Sequence, residues 1–161
     1  MPDTDDNAIR TALQWIVDVL ERRAIPYQLV GGLAARAYGA TRPIADIDLY
    51  IPATAVGAVL DAGADCVTRP PAAHKDAHWD LAFMQLVYAG RKIEVGIADD
   101  AKYRDARTGA WRDAAIDFES ADVREVFGVR VPVMPRDQLV AYKRALGRDV
   151  DLADVEAIAG A

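Results

Sequence analysis

Between residues 8 and 23 the apolar positions Ile9, Leu13, Ile16, Val17 and Leu20 fall at helical spacing, which predicts an amphipathic helix from Ala8 to Arg23. Asp5, Asp6 or Asn7 stands where a cap belongs, and the acidic start suits the helix dipole. After Pro26 the period shortens, and the apolar run Tyr27 to Val30 reads as a strand. Gly31-Gly32 interrupts it, and the alanine-rich stretch Leu33 to Tyr38 predicts a short helix. Ala45 to Ile51 reads as a second strand closed by Pro52, with a helix over 53–62 behind it. The polar, proline-containing "RPPAAHKDAHW" (69–79) reads as a loop. Leu81 to Tyr88 and Lys92 to Ile97 predict a hairpin across "AGR", where glycine accommodates the tight turn. Residues 99–119 are charged and poorly periodic. Two short β pieces over Val123–Val133 flank Phe127-Gly128, and helices over Pro135–Leu146 and Asp151–Ile158 are split by Gly147. The pattern is mixed α/β, of α+β type, with helices at both ends and no internal repeat.

Length and charge narrow this picture. At 161 residues the chain is expected to form a single domain over 1–161, with a core over about 7–133 and a helical extension over about 135–160. A chain of this size buries about 68–70% of its unfolded surface and needs no covalent staples. Cys66 is the only cysteine, so an internal disulfide or a cysteine metal cluster is excluded, and a small buried apolar role suits it. The acidic N-terminus lacks the basic start and apolar run of a signal peptide, and no stretch has the roughly 18 apolar residues of a membrane span. The expected compartment is cytoplasmic, with no membrane partner. A net charge of −6 argues against broad nucleic-acid binding, which needs a basic footprint, but leaves room for a local basic pocket.

The candidate chemistry starts at Asp46 and Asp48. On a strand they share one face while Ile47 and Leu49 take the other, with α-carbons roughly 6.6–7 Å apart. Carboxylates that close repel, and burial would hold a proton on one of them. A divalent cation reverses that preference, because Mg²⁺ takes hard oxygen donors and keeps room for water and phosphate. A solvated strand edge would explain the pair as well, and Asp117-Phe118-Glu119 has the same form without an upstream glycine turn.

Three features point the same way. Gly31-Gly32 follows a strand and opens a helix, so backbone N–H groups can converge on phosphate, although an ordinary strand–helix turn has the same look. "RKIEVGI" places Glu94 between Ile93 and Val95, either on a solvated face or as a third ligand. Arg42 stands four residues before Asp46, near any polyphosphate held there. The order is Gly-Gly, short helix, Asp-x-Asp, then an acid centred on a later strand. A Rossmann site does not fit, since Leu33 stands where the second glycine of Gly-x-Gly-x-x-Gly belongs.

This order resembles the DNA polymerase β-like nucleotidyltransferase superfamily, whose signature is a Gly-Gly or Gly-Ser turn, an acid–apolar–acid pair and a third strand carboxylate. Within it, the chain is most similar to small prokaryotic members related to AbiEii-type toxins and lincosamide adenylyltransferases. The likeness extends to "GVRVPVMPRDQLVAYKRALGRDVDLADVEAI" (128–158), which resembles the family's helical tail, and so spans about residues 7–158. The resemblance implies a nucleotidyltransferase fold: a mixed β-sheet with flanking helices and a C-terminal helical tail. It implies Asp46 and Asp48 as ligands of Mg²⁺ (or Mn²⁺), Glu94 completing a second metal site and serving as base, and Gly31 and Gly32 holding the triphosphate. Arg42 and Lys143 would neutralise charge, Lys143 matching a basic position of the tail; a solvated helix lysine is its alternative. Leu33 follows Gly32 where many relatives carry serine, so the backbone alone would hold phosphate.

The implied partners are an NTP such as ATP and a hydroxyl-bearing acceptor, a small molecule, protein or RNA. The alternative is a non-catalytic or regulatory partner in a toxin–antitoxin system, acting through a protein contact. Leu33, Tyr38 and Trp79 read as packing residues. His74 and His78 in "HKDAH" would chelate zinc only on a helix, and as loop residues they suit acceptor contact better.

Overall fold

The computed structural model describes residues 4–159. Helix α1 (Thr4–Arg22) buries Ile9, Leu13, Ile16 and Leu20, the stripe that its spacing predicted, and begins four residues earlier than that stripe requires. Strand β1 (Gln28–Val30) runs directly into α2 (Gly31–Ala37), which includes both glycines. Strand β2 (Ile47–Ile51) leads through a 3₁₀ turn at 53–55 into α3 (Val56–Ala62). Asp46 lies one residue before β2 rather than inside it.

The largest correction concerns 69–79. These residues are mostly strand: β3 (Val67–Lys75) forms a long hairpin with β4 (Trp79–Tyr88), closed by a turn at 76–78. Pro70 and Pro71 concealed it, because proline cannot donate to a ladder. Here β3 is a sheet edge paired only with β4, and its register slips on either side of Arg69 to accommodate the prolines. The turn is held by Asp76, whose Oδ1 accepts from the backbone N–H groups of His78 and Trp79, each at 2.8 Å.

Beyond β5 (Arg91–Ile97), the aperiodic region 99–119 contains β6 (Lys102–Arg104) and β7 (Trp111–Asp113), too short to show a period. The fully buried Asp105 organises them, accepting from Arg112 Nη2 at 2.9 Å and from the Arg107 backbone at 2.9 Å. Asp117 caps a single 3₁₀ turn through Glu119 N at 3.1 Å, which accounts for the second acid–apolar–acid triplet. The two short β pieces around Phe127-Gly128 are β8 (Asp122–Val126) and β9 (Val129–Val133), which pair as a hairpin, and α4 (Arg136–Leu146) and α5 (Asp149–Ala159) follow.

The described strands make one mixed sheet in the order β7-β6-β4-β5-β2-β1-β9-β8, with β3 attached to β4. β2 lies parallel to β5 and antiparallel to β1. Ile47, Leu49, Ile51, Ile93, Val95, Met84 and Leu86 are fully buried, and α1 lies against β5 and β9. The alternating residues Asp48, Tyr50, Glu94 and Gly96 line the opposite face, together with α4 and α5. Gly96 opposes Tyr50 in register, and a Cβ there would come within 2.7 Å of the Tyr50 ring. Among the described residues, no helix is long and apolar enough to cross a membrane.

Candidate active site

The parallel pairing of β2 with β5 sets Asp48 directly opposite Glu94. Paired residues on neighbouring strands point to the same face, so both carboxylates enter one cavity of about 400 Å³, with Asp46 also on its wall. Asp48 and Glu94 are two carboxyl groups facing each other across adjacent strands, an arrangement that favours a proton on one of them. Burial is the main reason the Asp48 carboxyl is pushed up to about 7; repulsion from Glu94 and Asp46 adds to it, and Lys143 opposes it. The carboxylates are therefore gathered from β2, the residue before it and β5, and burial with their mutual repulsion favours a proton on Asp48.

The donor set fits a divalent cation: every group is a hard oxygen, and Asp48 and Glu94 face one cavity from paired positions. Among the described residues no three side chains enclose an ion-sized space as they stand. Asp46 is on the cavity wall, its Oδ2 3.9 Å from Lys92 Nζ.

The glycines are placed by close approach. Gly31 has φ +70°, and a Cβ on it would lie 2.5 Å from Asp48 Oδ2. At Gly32 a Cβ would lie 2.6 Å from Arg42 Nη2. Arg42 is therefore beside the glycine turn as expected, but it does not line the cavity. Asp154 holds it through two bonds, Nε–Oδ1 at 2.7 Å and Nη2–Oδ2 at 2.9 Å.

Lys143 is no surface lysine. It is 2% exposed, lines the cavity, and lies 2.9 Å from Asp154 Oδ2 and 3.6 Å from Asp151 Oδ1. Burial raises the Asp154 carboxyl, but hydrogen bonds from Arg42 and Lys143 outweigh that and hold it below the usual carboxylate range. Asp151 in turn binds Arg148 at 2.6 and 3.0 Å, and Arg148 stacks 4.7 Å over Trp79. Trp79 Nε1 donates to Tyr142 at 2.7 Å, so it joins β4 to α4.

Asp151, Asp154 and Arg148 are the site residues that sequence reasoning missed. Their signal was faint: two acids three apart share one face of the last helix, behind a lysine that sits on an apolar stripe, but a solvated face has the same pattern. His74 and His78 lie on β3 and in its turn, so the helical zinc geometry does not form; His74 lines the cavity and Nε2 lies 2.9 Å from Asp76.

The architecture has solved counterparts. A Thermotoga maritima protein assigned as a nucleotidyltransferase superposes with a TM-score of 0.66 at 21% identity, over 82% of this chain and 81% of that one. The fold is that of the nucleotidyltransferases. The lincosamide antibiotic adenylyltransferase LnuA, bound to lincomycin, gives a TM-score of 0.62 at 14% identity over 91% of this chain and 94% of its own. The antibiotic-resistance factor ANT(2'')-Ia gives 0.63 at 15% identity over 96% and 84%. Its complex with adenylyl-2''-tobramycin gives 0.54 at 16% identity over 83% and 74%. The chain matches no protein-family model and no curated protein.

Proposed function

We propose that this protein is a metal-dependent nucleotidyltransferase that moves a nucleoside monophosphate from an NTP to an acceptor hydroxyl, releasing pyrophosphate. The observation that carries the reading is the in-register pairing of Asp48 with Glu94 on adjacent parallel strands, facing one cavity beside the Gly31 turn. Asp46, Asp48 and Glu94 would hold Mg²⁺ or Mn²⁺; when bound, the ions neutralise phosphate charge and lower the barrier to in-line displacement. The acceptor oxygen attacks the α-phosphorus, the bond to pyrophosphate breaks, and the hydroxyl proton passes to the Glu94 carboxylate. Gly31 and Gly32 leave their N–H groups approachable to the triphosphate. Lys143, fixed by Asp151 and Asp154, offers an oriented cation at no cost of rearrangement during the step. Arg42 acts one layer back by holding Asp154, and so Lys143, in place.

The neighbours LnuA, bound to lincomycin, and ANT(2'')-Ia, bound to an adenylyl-tobramycin, favour adenylyl transfer from ATP to a small molecule as the first case to test. Calorimetric titration of Mg–ATP and Mg–CTP into the wild type and Asp48→Asn is the experiment. Metal-dependent binding to the wild type and a loss of at least about tenfold in the variant are expected, since one charged ligand contact is worth about 1.4 kcal/mol or more. Absence of nucleotide binding, or equal binding with and without metal, would refute the reading.

A further inference from the structure

The cavity has a second wall that the transfer chemistry does not use. Along one rung of the sheet, Asp48 opposes Glu94, Glu94 opposes Gln85, and Gln85 opposes Arg69 on the edge strand β3. Arg69 and Glu94 are thus two strands apart, roughly 10 Å between backbones at about 4.8 Å per strand. Both side chains line the cavity. Further along the hairpin, His74, Leu81 and Phe83 line the same face.

Of the charged groups that the β3–β4 hairpin brings to the cavity, Arg69 alone is unmatched. Asp76 receives His74 Nε2 and two backbone N–H groups. Although burial pushes the Asp76 carboxyl upward, those hydrogen bonds bring it down to about 2, so it accepts from His74 and leaves His74 Nδ1 without a partner. Asp151 is covered by Arg148 and Lys143. The Arg69 side chain has no hydrogen bond, ion pair or ring contact among the described residues. An arginine is permanently charged and presents a rigid fork suited to carboxylate or phosphate.

We propose that the β3–β4 hairpin is the acceptor-binding wall, and that Arg69 selects acceptors carrying an anionic group, carboxylate or phosphate, a few bonds from the hydroxyl that is modified. This rests on the transferase reading above and names the substrate class of the same cavity. Phe83 and Leu81 give the acceptor's carbon frame an apolar surface, and His74 Nδ1 offers it one hydrogen bond. A cationic group placed at this end of the cavity meets an uncompensated arginine and is disfavoured there.

The test uses the full chain and α-labelled ATP with Mg²⁺. Small molecules from a cell extract are first separated by ion exchange into anionic, neutral and cationic pools, and each is offered to wild type, Arg69→Glu and Arg69→Lys. Label is expected in the anionic pool. Arg69→Glu should raise the apparent KM for that pool at least tenfold, with partial recovery in Arg69→Lys and Mg–ATP affinity within twofold of wild type. Arg69 is exposed on an edge strand, so unchanged melting temperatures are expected and confirm that folding is intact. Label in the neutral or cationic pool, or in none, overturns the inference, as does undiminished labelling by Arg69→Glu. Weakened Mg–ATP binding in Arg69→Glu assigns the arginine to the triphosphate and overturns it as well. Failure of the broader reading is separate, since it shows as no metal-dependent nucleotide binding by the wild type.

Discussion

Gly31 combines two demands that only glycine meets: a left-handed φ of +70° and an approach of 2.5 Å between a notional Cβ and Asp48 Oδ2. Gly90, in the hairpin turn, has φ +74° but nothing within 4 Å of its Cβ position. Alanine at Gly90 therefore carries only backbone strain, of order 1 kcal/mol, whereas alanine at Gly31 carries strain and must also displace the carboxylate, for a total of roughly 2–3 kcal/mol. Urea unfolding of the two variants measures the difference, and Mg–ATP binding should be lost only in Gly31→Ala. Equal behaviour of the two would mean that the close approach has no consequence.

At the scale of elements, α4 and α5 are joined to the sheet by charge as well as by apolar packing. Asp154 serves two cations, Arg42 from the segment before β2 and Lys143 from α4. Each of the two aspartates, by contrast, keeps an arginine when Lys143 is removed. Asp154→Ala leaves a 2%-exposed lysine only its longer 3.6 Å contact with Asp151 and should cost about 2–3 kcal/mol, while Lys143→Met strands no charge and should cost less. Thermal melting of the two variants decides this, and an equal or reversed order would refute the network as described. The same elements show where sequence reading failed. Lys143 occupies a stripe of α4 with Leu139, Val140 and Leu146, so its burial could be suspected, but its partners Asp151 and Asp154 lie on the next helix. Strand β3 was hidden by its prolines, which are tolerated only because β4 is its one neighbour.

For the whole molecule, the acid pair links stability to pH and metal. The Asp48 carboxyl ordinarily titrates at 3.8, and in the folded protein it titrates at about 7. Between those values the folded chain holds a proton that the unfolded chain has released, so this group's contribution to stability declines as pH rises through the window. In the metal-free protein the melting temperature should fall more steeply from pH 4 to 7 for the wild type than for Asp48→Asn. Saturating Mg²⁺ should flatten the wild-type slope, because the ion replaces the proton and favours the ionised form. Identical slopes for the two proteins in the absence of metal would show that Asp48 is not the group responsible.

Period and spacing carried much of this protein into view. The stripe of α1, the alternation of β2 and β5, the β4–β5 hairpin and the two C-terminal helices are local consequences of which residues must leave water, and so are readable one segment at a time. The faces of Asp48 and Glu94 were legible for the same reason, since each is flanked by apolar neighbours that had to point into the core. Register was not. Pairing β2 with β5 in parallel depends on a crossover through α3 and the β3–β4 hairpin, and a shift of one residue would have turned Glu94 away from Asp48. The partners of Lys143 and the isolation of Arg69 likewise belong to the assembled chain, because an ion pair depends on distance in space rather than along the sequence.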